Sequence, residues 1–409
     1  MGLRREVLRQ QGRDTIFLGQ PGVGQGKLTG LLAIEQQLTN PLINTRSIDI
    51  VRLDPSKGKR STQLKWYAVR KFYDFAGKYE VVGRIFSQSR SETAIGKKIL
   101  SFFNKELHEA LALIDDPFLT MHGMYGKATE RFPRRRNFAE MDARAPEHYA
   151  VDASTFIFAP THEVANAYVG LGQKRNQLLE TGHILPQELL DSRRQRERIS
   201  MFSQKEPTTD KPLRITFMMT GQLAHMNELR TLLGDERINT WIREGKAQLD
   251  VYLFTGRKQA QKIAREATKQ HLNPKVTTTY DPHSQTGVQL FWNKNPDTAV
   301  RKKFTMAGRA DYLIAPPAEY VGWFAAIPGE VLDPIPGNRK METNKAWLIA
   351  QRLIDTQEGT FGEKIQKLFS EDGRHIQRFY EHSNRVARTT GLHGAEKIAR
   401  RMLAQVTSR

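Results

Sequence analysis

The chain has 409 residues, 39% hydrophobic and 26% charged, an ordinary soluble balance that argues against general disorder and for two or three domains. Cysteine is absent, which excludes a disulfide framework, a cysteine-ligated metal centre and a cysteine nucleophile. Lysine and arginine number 63 against 44 acidic residues, and the net charge of +19 fits a polyanionic partner: nucleic acid, an anionic membrane face or a phosphorylated substrate.

The excess is concentrated early, with 19 Lys and Arg against 10 Asp and Glu in residues 1–110. Met1-Gly2-Leu3-Arg4-Arg5-Glu6 turns polar too soon for a signal peptide. No stretch approaches the ~18 apolar residues of a spanning helix. The expected location is cytoplasmic, at most peripheral on the inner membrane face.

Thr15-Ile16-Phe17-Leu18-Gly19 predicts a short buried strand that runs into glycines and then a helix over 27–38. The loop Gln20-Pro21-Gly22-Val23-Gly24-Gln25-Gly26-Lys27-Leu28-Thr29 invites a P-loop reading and departs from it twice. Pro21 stands where the first glycine belongs, and Leu28 where Ser or Thr would hold magnesium. What survives is a strand–glycine–helix turn that brings a ligand close to backbone amides, with a plain tight turn as the alternative.

A strand is expected over 48–53. In Lys65-Trp66-Tyr67-Ala68-Val69-Arg70-Lys71-Phe72-Tyr73-Asp74-Phe75, helical spacing puts Trp66, Val69 and Tyr73 on one face beside Arg70 and Lys71. Such a helix suits an anionic bilayer, and equally a core-facing helix with a solvated charged side. RNA would use similar surface, but no RNA-binding signature is present, so a nucleic-acid partner is not expected. A helix over 93–113 leads to a strand over 118–122 that ends in His122. Arg134-Arg135-Arg136 reads as a solvated loop, and a strand over 155–159 and a helix over 163–171 follow.

The clearest break is 192–212, polar, charged and proline-bounded, which reads as a helix end and an interdomain linker. The pattern then restarts with Arg214-Ile215-Thr216-Phe217-Met218-Met219-Thr220-Gly221 and a helix over 226–233. Strands are expected over 249–255 and 312–315, and helices over 258–270, 344–354 and 394–405. Alternating elements with short apolar strands imply an α/β fold, two Rossmann-like domains whose parallel sheets face a central cleft. The expected division is 1–195, a linker over 196–212, a second domain over 213–375 and a helical segment over 376–409.

In the second half, Ala310-Asp311-Tyr312-Leu313-Ile314-Ala315-Pro316-Pro317 precedes Ala326-Ile327-Pro328-Gly329 and Asp333-Pro334-Ile335-Pro336-Gly337, with Asn344-Lys345-Ala346-Trp347-Leu348 beyond. This order resembles the donor domain of GT-B glycosyltransferases of the kind that make monogalactosyldiacylglycerol and the peptidoglycan lipid precursor. Pro334-Ile335-Pro336-Gly337 is the sharpest match. Other segments then fall in family order. Gly22-Val23-Gly24-Gln25-Gly26 looks like the first loop, Asp115 to His122 like a strand ending at the acceptor cleft, and Thr220-Gly221-Gln222-Leu223-Ala224 like the donor loop. Phe156 to Val164 and Thr181 to Pro186 resemble the closing elements of the acceptor domain, and Val251 to Arg257 the strand and glycine after the donor loop.

The resemblance implies a GT-B fold and sugar transfer from a nucleotide-sugar donor, such as a UDP-sugar, to an acceptor of lipid or lipid-linked class at an anionic membrane surface. It implies no metal and no further cofactor. Donor contacts would come from Gly221, Gln222, Gly256, Arg257, Pro316, Glu319, Gly337, Asn338 and Asn344, and the first loop would supply Gly22, Gly24, Gln25 and Gly26. Arg339 and Lys340 would help neutralise diphosphate, or else belong to a solvated loop. Four departures bear on activity, one of them the longer and more basic run Asn338-Arg339-Lys340-Met341-Glu342-Thr343 after Gly337. Gln25 replaces a histidine and cannot serve as a base, Leu223 replaces a glycine, and Glu319 stands about two residues before the expected ribose-gripping position. The base is then sought among His122, Glu319, His162 and Asp152, with His122 and Glu319 the expected catalytic pair. For His162 and His183 a structural role is the leading expectation. Two alternatives remain open: a non-catalytic GT-B relative that binds a nucleotide sugar or polyanion, and a P-loop nucleotide-dependent enzyme.

Overall fold

A computed structural model describes residues 3–10, 13–20, 25–54, 58–61, 63–64, 67–68, 109–121, 136–143, 156–219, 225–254, 256–283, 287–335, 338–354, 358–369 and 372–407. The chain forms two units: residues 1–186, 336–343 and 390–409 make the first, and 187–335 and 344–389 the second.

The first unit starts with α1 (Leu3–Leu8), β1 (Thr15–Gly19), α2 (Gln25–Leu38) and β2 (Asp49–Leu53). It continues with β3 (Phe118–Thr120), β4 (Arg136–Ala139), β5 (Phe156–Ala159), α3 (His162–Gly170) and β6 (Leu178–Glu180). These strands pair in the order β2-β1-β3-β4-β5-β6, every pair parallel. β1, β3 and β4 are buried along their whole length, as strands covered on both faces must be.

The second unit runs from α4 (Ser192–Phe202) through β7 (Leu213–Met218), α5 (Met226–Leu233), α6 (Glu236–Arg243), β8 (Ala247–Tyr252) and α7 (Arg257–Lys269). β9 (Pro274–Thr277), β10 (Val288–Phe291), α8 (Pro296–Arg309), β11 (Tyr312–Ala315) and β12 (Gly329–Val331) follow. Its sheet order is β12-β11-β7-β8-β10-β9, again all parallel. α8 begins where Asn295 accepts the backbone N–H groups of Asp297 and Thr298 and Pro296 fills the first helical position, where its missing N–H costs nothing. α9 (Arg339–Ala350), α10 (Phe361–Leu368) and α11 (Arg374–Thr389) come next, and α12 (Gly394–Thr407) returns to the first unit, where it packs on α2. Among the described residues no helix is long and apolar enough to cross a membrane.

Two α/β units with parallel sheets are what the strand–helix alternation implies. Two local expectations change. Residues 196–202 of the expected linker are the C-terminal part of α4. Arg136 is no solvated loop residue: it lies in β4, 2% exposed, and donates to the carbonyls of Leu111 at 2.9 Å and Ile114 at 2.8 Å. Burial lowers its pKa to about 10. The basic-aromatic segment 65–75 falls outside the described residues except for Tyr67 and Ala68.

Candidate functional site

In the first unit, β3 pairs with both β1 and β4, so the three carboxyl ends lie side by side. β1 feeds the glycine-rich loop, and α2 begins at Gln25, which places Lys27 in its first turn. β4 ends at Ala139 and delivers Glu140 and Asp142, both fully buried. Lys27 Nζ lies 2.8 Å from Glu140 Oε1 and 3.6 Å from Asp142 Oδ2, and Lys340 Nζ pairs with that same Asp142 oxygen. Glu140 Oε1 also accepts the backbone N–H groups of Met141 at 2.8 Å and Asp142 at 3.3 Å. Its Oε2 accepts the Tyr168 hydroxyl at 3.3 Å.

Burial pushes the Glu140 carboxyl up, and Lys27 opposes this only in part. Burial acts the same way on Asp142, yet Lys340 and then Lys27 outweigh it and hold that carboxyl far below the usual carboxylate range. Adjacent carboxylates driven apart in this way suit a divided acid–base task. The Lys27 side chain is 14% exposed and that of Lys340 30%, while both carboxylates are sealed. The outward face of the cluster is therefore cationic.

In the second unit β7 lies between β8 and β11, the point where the strand order reverses and where doubly wound sheets take ligands. Met219 follows β7, Gly256 and Arg257 follow β8, and Pro316 and Pro317 follow β11. Beneath them Lys303, 1% exposed, reaches from α8. Its Nζ is 3.6 Å from Glu319 Oε1 and donates to the Tyr320 hydroxyl at 3.4 Å, which in turn donates to the Met219 carbonyl at 3.4 Å. The rings of Tyr320, Tyr252 and Trp323 surround the ammonium at 4.8, 5.4 and 5.6 Å. Burial lowers the Lys303 pKa to about 8, with Glu319 opposing. Asn344, fully buried, donates through Nδ2 to the Pro317 carbonyl at 3.2 Å and so fixes the loop after β11.

Gly22, Gly24, His122, Asp152, Gly221, Gln222 and Gly337 lie outside the described residues, as does the Gln25 side chain. Gly26 is in the first turn of α2. Gly256 is the N-cap of α7, where an added Cβ would sit 3.0 Å from the Leu253 carbonyl oxygen, so a side chain there would crowd the turn. The Arg257 guanidinium stacks 5.8 Å from the Trp292 ring centre. Asn338 opens α9, its Oδ1 accepting the Met341 N–H at 3.2 Å. Within the second unit, Pro316, Glu319 and Asn344 gather around the loop after β11, and Glu319 is engaged by Lys303. His162 meets Glu180 at 3.0 Å on an exposed surface, and burial lowers the His183 pKa to about 4.

Glu140, Asp142 and Lys303 escape a reading of the sequence. Arg136-Asn137-Phe138-Ala139 is too polar to look like a central strand, so the two carboxylates after it carry no positional signal. Lys303 sits in Arg301-Lys302-Lys303, and such charge runs usually face solvent. Its amphipathic position on α8, between buried Val300 and Phe304, is the signal that was available.

No protein-family profile matches the sequence, and no curated protein resembles it significantly. Solved structures do resemble it. A UDP-GlcNAc 2-epimerase from Neisseria meningitidis, bound to UDP-GlcNAc, matches 97% of this chain and 99% of its own at a TM-score of 0.50 and 9% identity. S. aureus MnaA with UDP matches 94% of each chain at 0.49 and 11% identity. MurG of Acinetobacter baumannii matches 97% of this chain and 99% of its own at 0.44 and 13% identity. At such identities the epimerase likeness speaks for the fold alone: this chain has the GT-B fold, built from two Rossmann-like domains.

Proposed function

We propose that the chain is a nucleotide-sugar-dependent glycosyltransferase. The donor is assigned to the second unit, around Gly256, Pro316, Glu319 and Asn344. The acceptor, a phosphate-bearing lipid or lipid-linked sugar collected at an anionic membrane, is assigned to the first. The GT-B fold, shared with a structure solved around UDP-GlcNAc, supports the donor class. The observation that carries the chemistry is the Lys27–Glu140–Asp142–Lys340 cluster at the carboxyl ends of β1, β3 and β4. Its two ammonium groups, paired with the buried carboxylates on one side, are partly exposed on the other, where a phosphate group can meet them. A phosphate that draws Lys27 away uncovers the sealed Glu140 carboxylate and removes its partner, which makes it a stronger base within reach of the acceptor hydroxyl proton.

The test pairs Glu140→Gln with His122→Ala in a panel of UDP-, GDP-, ADP- and dTDP-sugars. Glu140→Gln should cut turnover by on the order of 10²–10⁴-fold, as loss of a general base does, with donor affinity changed less than about threefold. His122→Ala should leave more activity than Glu140→Gln. The reverse ranking returns the base to His122. A nucleotide sugar that binds without supporting turnover with any acceptor makes the chain a binding module instead.

A further inference from the structure

α11 presents arginine at helical spacing. Arg374, Arg378, Arg385 and Arg388 are exposed, while Ile376, Phe379, Tyr380, Ser383 and Val386 are buried. At about 100° per residue the four arginines share an arc of roughly 80° and span about 21 Å of helix. Glu381 is the single carboxylate on that arc, and Asp372, just before the helix, pairs with Arg374, so Arg378, Arg385 and Arg388 carry most of the stripe's charge. Arg385 donates to the Gln351 carbonyl at 3.0 Å, which sets the C-terminal end of α9 beside the stripe.

That helix end has an unusual occupant. The N–H of Arg352 bonds to the Ile349 carbonyl at 2.9 Å and that of Leu353 to the Leu348 carbonyl at 3.1 Å, the paired closure of a helix C-terminus. Arg352 stands at the left-handed position of this closure, φ 57°, where glycine or asparagine is the unstrained choice. The strain is tolerated and a fifth guanidinium is placed there. Next to it, on the last two turns of α9, Ala346, Ile349 and Ala350 are exposed, Ile349 to 41%.

We propose that this face of the second unit docks on an anionic phospholipid bilayer. The arginines meet lipid phosphates, and Ile349 enters the headgroup layer. A bilayer rewards both halves of the patch, charge and apolar surface, whereas a nucleic-acid backbone rewards the charge alone. The patch includes none of residues 65–75 and needs no nucleotide sugar, so its test is independent of the glycosyltransferase reading.

The test is flotation of the full chain with vesicles of phosphatidylcholine alone and with about 30% phosphatidylglycerol. Each arginine near an anionic surface contributes roughly fivefold to partitioning. Arg378→Gln with Arg388→Gln should lower binding to the anionic vesicles roughly 25-fold. Lys262→Gln with Arg265→Gln, an equal charge change among the exposed cations of α7, should lower it less than about threefold. Arg352→Gly should raise Tm, because glycine relieves the strain, and still weaken vesicle binding roughly fivefold. Ile349→Ser should weaken vesicle binding and leave binding to a mixed-sequence RNA unchanged. Equal losses from the two double variants would reduce the effect to net charge and overturn the proposal. So would undiminished binding by the Arg378/Arg388 variant, or RNA binding tighter than vesicle binding with the same dependence on the α11 arginines.

Discussion

At the scale of single residues, Lys303 is the most demanding side chain in the second unit. An ammonium buried beneath three aromatic rings is tolerated because Glu319 stands 3.6 Å away and the Tyr320 hydroxyl accepts a hydrogen bond from it. Removing only the lysine leaves a carboxylate that is 10% exposed without its partner. Lys303→Met should therefore cost about 3–5 kcal/mol in a urea titration, and adding Glu319→Gln should recover a good part of it. Equal stability of the single and double variants would show that the ion pair does not set the cost. The pH dependence has a definite sign. The folded-state pKa, about 8, lies below the ordinary lysine value of 10.5, so the unfolded chain binds more protons between those pH values. The burial penalty is present in full below pH 8 and is relieved as pH rises toward 10.5. The Lys303→Met variant should lack this rise relative to the parent chain, a comparison that cancels every other group titrating in the range.

At the scale of elements, α4 shows what a charged segment does when it is not a linker. Arg198, 3% exposed, donates to the carbonyls of Ala310 at 2.8 Å and Ala326 at 3.1 Å. Arg194 donates at 2.6 Å both to the Arg309 carbonyl and to Asp311 Oδ1, and Asp311 Oδ2 accepts the Arg214 backbone N–H at 2.9 Å. The helix thus closes the end of α8 and the start of β11 at once. Arg198→Ala strands two carbonyls and should cost about 2–4 kcal/mol, read as a shift in the urea midpoint. Arg193→Ala, on the exposed side with 78% of its side chain accessible, should move stability by less than about 0.5 kcal/mol. The same helix marks where the sequence stops being legible. The parallel α/β plan, the strand at 15–19, the glycine loop and the turn after β11 are local patterns, and each can be recognised from a few consecutive residues. Whether Arg136, Arg194, Arg198 or Lys303 faces solvent depends on carbonyls and carboxylates far along the chain, which no window of sequence contains. Glu140 and Asp142 were hidden for the same reason: a strand as short and polar as β4 is identified only by its partners β3 and β5.

At the scale of the whole molecule, the chain leaves the first unit at residue 187 and completes it only at its far end. α12 buries Ala395, Ile398, Ala399, Met402, Leu403 and Val406 and packs on α2. Asn137 and Gln405 exchange side-chain hydrogen bonds at 2.9 and 3.0 Å, which ties the helix to β4 and hence to the strand that carries Glu140. Gly182 and Gly391, both at positive φ, let the two chain segments approach closely enough for the His183 N–H to reach the Gly391 carbonyl at 3.0 Å. A Cβ at Gly182 would lie 2.6 Å from that oxygen. Four large apolar side chains on α12, at about 1.5–3 kcal/mol each, amount to roughly 6–12 kcal/mol as an upper bound. That is comparable with the entire stability of an ordinary domain, about 5–15 kcal/mol. A chain ended at residue 389 should therefore lose the first unit and keep the second, whose residues all precede that point. Calorimetry should show the transition of the first unit gone, and limited proteolysis should trim the truncated chain to a fragment close to residues 187–389. That fragment, expressed alone, should melt as the surviving transition does, because it retains α4 with its arginines, whereas one begun at residue 212 should not fold. If the truncated chain keeps both transitions and resists protease as the full chain does, α12 is an accessory helix and the first unit is complete without it.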